Sequence, residues 1–83
     1  MAKRKDKPRE HPEPTEQLKG IGERLRAIRV AKGYANYETF AYENGIPRAQ
    51  YGRYERGQDM KLSSLMKVLK GFDMTLQEFF AAG

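Results

Sequence analysis

The sequence contains no cysteine. Disulfides and thiolate metal sites are therefore excluded, and the composition fits a reducing compartment. A single histidine, His11, lies in a polar stretch near the N-terminus. With one histidine and no thiol, neither a Ser/His/Asp nor a Cys/His constellation can be assembled, and no metal-ligand cluster is visible. The residues thus give no support to an enzyme, a metal site or a cofactor. No apolar run approaches the roughly 18 residues that a membrane-spanning helix needs. The first residues are charged and proline-bearing rather than apolar, so no secretory signal is expected and a cytoplasmic location is. No segment alternates apolar and polar residues over four or more positions, so strands are not expected either.

What is present is charge. Sixteen Lys and Arg face eleven Asp and Glu, a formal net charge of +5, in a chain of 83 residues. That length suits one domain with a modest core, in which every packing helix counts. The positive balance favours a polyanionic partner without identifying one.

The chain divides near residue 15. Residues 1–15 carry Lys3, Arg4, Lys5, Lys7 and Arg9 among Pro8, Pro12 and Pro14. The prolines break any regular helix, which predicts a disordered charged arm. The acids Asp6, Glu10 and Glu13, with Glu16 just beyond, nearly balance its bases. Such an arm acts either as a solubilising tail or as a phosphate- or minor-groove-touching segment.

Residues 16–83 read as a helical domain. Thr15 offers a cap, and Leu18, Ile21, Leu25 and Ile28 recur at helical spacing up to Gly33. Gly20 and Gly22 weaken the first turns, which would place the effective start near Ile21. Asn36 offers the next cap, for a short helix with Phe40 and Ala41 inward and an end at Gly45. A third helix is expected from Pro47 to Arg56, with Tyr51 and Tyr54 on one face. A fourth carries Leu62, Leu65, Met66 and Leu69 and fades near Gly71. Thr75 and Glu78 form a capping box for a fifth, with Leu76, Phe79 and Phe80. The predicted core is Leu18, Ile21, Leu25, Ile28, Phe40, Leu65, Met66 and Leu69, with Tyr51 and Tyr54 also needed inside. One of Phe79 and Phe80 is expected to pack inward and the other to stay exposed, where it would suit a dimer contact. Arg24, Arg26, Lys67 and Lys70 read as a solvated face.

The stretch Phe40-Ala41-Tyr42-Glu43-Asn44-Gly45-Ile46 carries the function. Ala41 is small enough for a second helix to approach. Gly45, four residues on, suits a turn that needs positive φ. Tyr51, six further, can fill the wedge between two helices. Small, glycine, bulky at these intervals is the physical signature of a helix-turn-helix.

From Ile21 to Phe80 the chain also resembles the phage-repressor/Cro-like (Xre) helix-turn-helix DNA-binding family. The matching pieces, in order, are Gly22-Glu23-Arg24-Leu25-Arg26-Ala27-Ile28-Arg29, Ala31-Lys32-Gly33, Gly45-Ile46-Pro47-Arg48, Arg53-Tyr54-Glu55-Arg56-Gly57 and Leu76-Gln77-Glu78-Phe79-Phe80. The resemblance implies a compact, all-α, five-helix, lambda-repressor-like domain whose third helix enters the major groove. It makes Arg48, Ala49, Gln50, Gly52 and Arg53 base-reading positions. Arg48 and Arg53 would each donate two hydrogen bonds to guanine, Gln50 would meet adenine or a phosphate, and Ala49 a thymine methyl. It assigns phosphate contacts to Asn36, Tyr37, Gln58 and Lys61, which set register rather than read sequence. It makes Arg29 and Glu55 a structural ion pair between the first and third helices. Double-stranded DNA is the implied partner, and a homodimer the implied assembly.

The chain departs from the family pattern at several points. Tyr34-Ala35 holds an extra residue, and the loop Gln58-Asp59-Met60-Lys61 is one shorter and lacks a proline. Pro47 replaces a hydroxyl cap, Asn44 a leucine, Tyr51 a β-branched residue and Tyr37 a glutamine. The expected function is a sequence-specific transcriptional regulator, repressor or activator. The alternatives are the antitoxin of a toxin–antitoxin pair, with residues 1–15 folding on a small protein partner, and a helix-turn-helix module retained for protein interaction.

Overall fold

The structure, a computed structural model, describes residues 13–81; the proposed arm of residues 1–15 lies outside it except for its last three residues. Five helices follow one another: α1 (Pro14–Ala31), α2 (Tyr37–Glu43), α3 (Arg48–Glu55), α4 (Leu62–Gly71) and α5 (Leu76–Ala81). No strand occurs among the described residues.

Helix α1 begins earlier than its glycines suggest. Glu13 occupies the cap position without a side-chain hydrogen bond, and Pro14 opens the first turn. Proline is tolerated there because its missing N–H would have had no helical partner, and its fixed φ already matches the helix. Thr15 lies inside the helix rather than capping it, and Gly20 and Gly22 are both absorbed into a helix of 18 residues. Pro47 and Lys61 likewise cap α3 and α4 without a side-chain hydrogen bond, whereas the caps of α2 and α5 are built from side chains. The Asn36 side chain accepts from the Thr39 N–H at 2.8 Å. Thr75 and Glu78 exchange hydrogen bonds at 2.9 and 3.1 Å, closing the capping box that starts α5.

The turn between α2 and α3 sets the angle between them. Gly45 adopts φ 68°, a conformation that costs a side-chain-bearing residue about 1–2 kcal/mol. The next residue, Ile46, turns back so that its N–H meets the Ala41 carbonyl at 2.9 Å and its side chain is buried. Lys67 reaches from α4 to the Gly45 carbonyl at 3.1 Å and ties the turn down from outside.

The core consists of Leu25, Phe40, Ala41, Ile46, Tyr51, Tyr54, Leu65, Val68, Leu69, Phe72 and Phe79. Phe40 is its hub. Its ring stacks on Phe72 at 4.5 Å, meets the edge of Tyr34 at 5.1 Å and tilts against Tyr51 at 5.1 Å. Ile21 and Ile28 are half-buried against this core. Met66, expected inside, is 45% exposed. The inward face of α4 is Leu65, Val68 and Leu69, continued by Phe72 just past the helix end; Met66 lies round the side with Leu62. Of the terminal aromatic pair, Phe79 is buried and Phe80 is exposed. Arg24 is not a solvated face residue. Its guanidinium donates to the Phe79 carbonyl at 2.8 Å and lies 5.7 Å above the Phe79 ring, fastening α5 to α1.

Candidate nucleic-acid interface

Helix α3 is eight residues long, and the inward pull of its tyrosines decides what it shows to solvent. Tyr51 and Tyr54 are buried, three residues apart on one side. Arg48, Ala49, Arg53 and Arg56 are consequently exposed on the other. The outward face therefore carries three guanidinium groups around a bare alanine.

The orientation of this helix is fixed by a pair that bridges it to α1. The Arg29 Nε donates to Glu55 Oε2 at 2.7 Å, and Nη2 donates to Oε1 at 3.1 Å, a two-pronged contact. A third donor, Nη1, reaches the Tyr34 carbonyl at 2.7 Å and holds the chain as it leaves α1. Both side chains are almost fully buried. The hydrogen bond to Glu55 raises the Arg29 pKa despite the opposing effect of burial, so the guanidinium stays charged.

The Tyr51 hydroxyl is buried beside this pair, close enough to be acted on by Glu55 and Arg29 but without a hydrogen bond of good geometry among the described residues. Burial first, and then the Glu55 carboxylate, push its proton loss far above the usual phenol range, so it remains neutral. An unsatisfied buried polar group costs about 1–3 kcal/mol. Tyr51→Phe removes that group and keeps the ring against Phe40. It is expected to leave stability unchanged or raise it by up to about 1 kcal/mol. Chemical denaturation of the two proteins measures this; a loss beyond that size would mean the hydroxyl is bonded in solution.

The residues singled out in the sequence are distributed as follows. Arg48, Ala49 and Arg53 lie exposed on the outward face of α3. Gln50 is half-buried at the edge of that face, its amide donating to the Tyr54 hydroxyl, which leaves its carbonyl oxygen to accept. Gln58 and Lys61 are exposed and share an open groove with Gln50 and Arg53. Asn36 is exposed, its side-chain oxygen engaged in the α2 cap. Gly52 differs from expectation: it is buried, covered by the phenol end of Tyr37. It therefore presents no surface of its own to a base.

Two positions that shape this candidate interface escaped the sequence reading. Arg56 shares the outward face, one turn beyond Gly52, and the helical period alone would have found it. Gly22 had no such signal. A Cβ there would lie 2.5 Å from the Glu55 carbonyl oxygen and 2.6 Å from that of Tyr54, so α1 crosses the end of α3 at backbone contact. Only the packed pair of helices reveals that need.

Two short helices joined at a positive-φ glycine, locked to a leading helix by a buried ion pair and showing a basic outward face, define a helix-turn-helix domain. The crystal structure of the restriction-modification controller protein C.AhdI from Aeromonas hydrophila matches it with a TM-score of 0.71 and 35% sequence identity, over 78% of this chain and 98% of that one. The chain belongs to the phage-repressor/Cro-like (Xre) helix-turn-helix family of DNA-binding regulators. No family model matches the sequence, and no curated protein does.

Proposed function

We propose that this protein is a sequence-specific transcriptional regulator that reads the major groove of double-stranded DNA with α3. One observation carries the reading: Arg48, Ala49 and Arg53 stand together on the exposed face of a helix whose other face is fixed by Tyr51, Tyr54 and the Arg29–Glu55 pair. Rigidity matters because a bidentate arginine–guanine contact requires both groups in a fixed plane. Gln50 reads through its free carbonyl oxygen or after leaving Tyr54. Asn36 on one flank, and Gln58 and Lys61 on the other, contact phosphates and set register.

The likeness to a restriction-modification controller supports the same kind of task here, control of the genes of such a system. Whether occupancy represses or activates depends on where the operator lies. The protein acts as a homodimer on two half-sites about 34 Å apart. The exposed apolar side chains Leu62, Met66 and Phe80 on α4 and α5 are the candidate contact. No described helix is long and apolar enough to cross a membrane, which suits a protein working on DNA in the cytoplasm.

Selection from random duplex DNA at two salt concentrations tests the reading. The wild-type protein should enrich one short, roughly two-fold symmetric sequence. Arg48→Ala and Arg53→Ala should each weaken binding to it by about 1–3 kcal/mol and relax preference at a guanine. Weak binding, equal for all proteins and seen only at low salt, would reduce the interaction to non-specific charge and defeat the proposal.

A further inference from the structure

Gly52 lies between Ala49, three residues before it, and Arg56, four after, and both of these are exposed. A residue at that spacing belongs to the same outward face. Yet Gly52 is buried, and the group that buries it comes from another helix. An atom at its Cβ position would be 2.8 Å from Tyr37 Cε1 and 3.0 Å from Tyr37 Cζ, with Arg56 Nη1 at 3.3 Å. Those ring atoms are at the hydroxyl end of the phenol. The Tyr37 side chain therefore stands where a side chain of α3 would begin.

We infer that Tyr37 is a base-reading residue, lent by α2 to the reading face of α3 through the gap left by Gly52. The inference rests on the major-groove reading proposed above. It assigns the Tyr37 side chain to a base, rather than to the phosphate that the family resemblance implies.

Three features suit the ring to this role. Tyr37 is the first residue of α2, and the Asn36 cap holds its backbone. Its ring leans on Tyr51 at 6.4 Å, so its position is set by the core. The phenol end and the Arg56 guanidinium converge on one point of the α3 face, 3.0 and 3.3 Å from the Gly52 Cβ position, and the phenol hydroxyl can donate to an acceptor there. The major-groove base edges that offer one are guanine N7 and O6, adenine N7 and thymine O4. Gly52 is then a positioning residue: any Cβ would push the phenol out of place.

A phosphate contact and a base contact differ in how they depend on sequence. The test is affinity for the selected operator and for a panel in which each base pair is changed in turn, using wild type, Tyr37→Phe and Gly52→Ala. Tyr37→Phe keeps the ring packing and removes only the hydroxyl. Gly52→Ala keeps the hydroxyl but displaces it. Both variants should lose about tenfold discrimination at the same base pair of each half-site. Preferences at the pairs read by Arg48 and Arg53 should persist. Thermal melts confirm that each variant is folded; if Gly52→Ala is not, Tyr37→Phe decides alone. Weakening by one factor across the whole panel would make Tyr37 a phosphate contact and overturn the inference, as would an unchanged panel. A wild-type protein without any preference would instead remove the groove reading beneath it, which is a distinguishable failure.

Discussion

Glu55→Ala is expected to lower the free energy of unfolding by about 3–5 kcal/mol. The two-pronged contact at 2.7 and 3.1 Å would vanish, but the Arg29 guanidinium would stay where it is, almost fully buried. Its remaining hydrogen bond among the described residues would be that to the Tyr34 carbonyl at 2.7 Å. The large effect comes from that stranded charge rather than from the worth of the pair itself. A buried pair roughly offsets its own desolvation, whereas half of one does not. Single domains are stable by only about 5–15 kcal/mol, and small ones sit low in that range. A substantial unfolded population at ordinary temperature is therefore the expected result. Glu55→Gln keeps an oxygen acceptor and should fall between the two. Replacing both partners by methionine should lose less than Glu55→Ala alone, because no charge is left buried. Urea denaturation of the four proteins makes the comparison. If Glu55→Ala and the double variant lost the same amount, water would be reaching Arg29 and the buried-charge account would be wrong.

Most of the fold was legible because its signals are local. The spacing of Leu25 and Ile28, the cap at Asn36 and the reciprocal pair Thr75–Glu78 act within one or two turns, and the helices stand where those residues put them. Errors arose where a local tendency met a distant partner. Met66 has the right hydrophobicity for the core but sits round the side of α4, and Val68 and Phe72 take the inward positions. Phe72 sits just past the end of its helix but keeps the same period, three residues after Leu69 and seven after Leu65. The candidate interface divides the same way. Exposure of Arg48 and Arg53 follows from Tyr51 and Tyr54 turning inward on the same short helix. The covering of Gly52 by Tyr37 depends on how α2 crosses α3, fifteen residues away in sequence, and no pattern within α3 announces it.

The glycines of α1 show the same division in a form that can be measured. By helix propensity alone, Gly20→Ala and Gly22→Ala should each stabilise the helix by about 0.5–1 kcal/mol. Their surroundings separate them. A Cβ on Gly20 meets nothing within 4 Å, so the gain should appear in full. A Cβ on Gly22 would lie 2.5 and 2.6 Å from two carbonyl oxygens and 2.9 Å from a carbonyl carbon of α3. These are backbone atoms, which cannot swing aside as a side-chain end can. The two helices must separate, straining the Arg29–Glu55 contact that spans the same junction. Overpacking typically costs about 1–3 kcal/mol, and a rigid obstacle places this case at the upper end, where it outweighs the propensity gain. Gly22→Ala is therefore expected to destabilise the domain by about 2 kcal/mol net, while Gly20→Ala stabilises it. Movement at the end of α3 should also weaken operator binding by Gly22→Ala under conditions where the variant remains folded, and Gly20→Ala should bind as wild type does. Opposite signs in paired denaturation curves would establish that Gly22 serves the approach of α1 to α3. A stabilised Gly22→Ala variant would mean that the junction yields, and that α3 is held by its side chains alone.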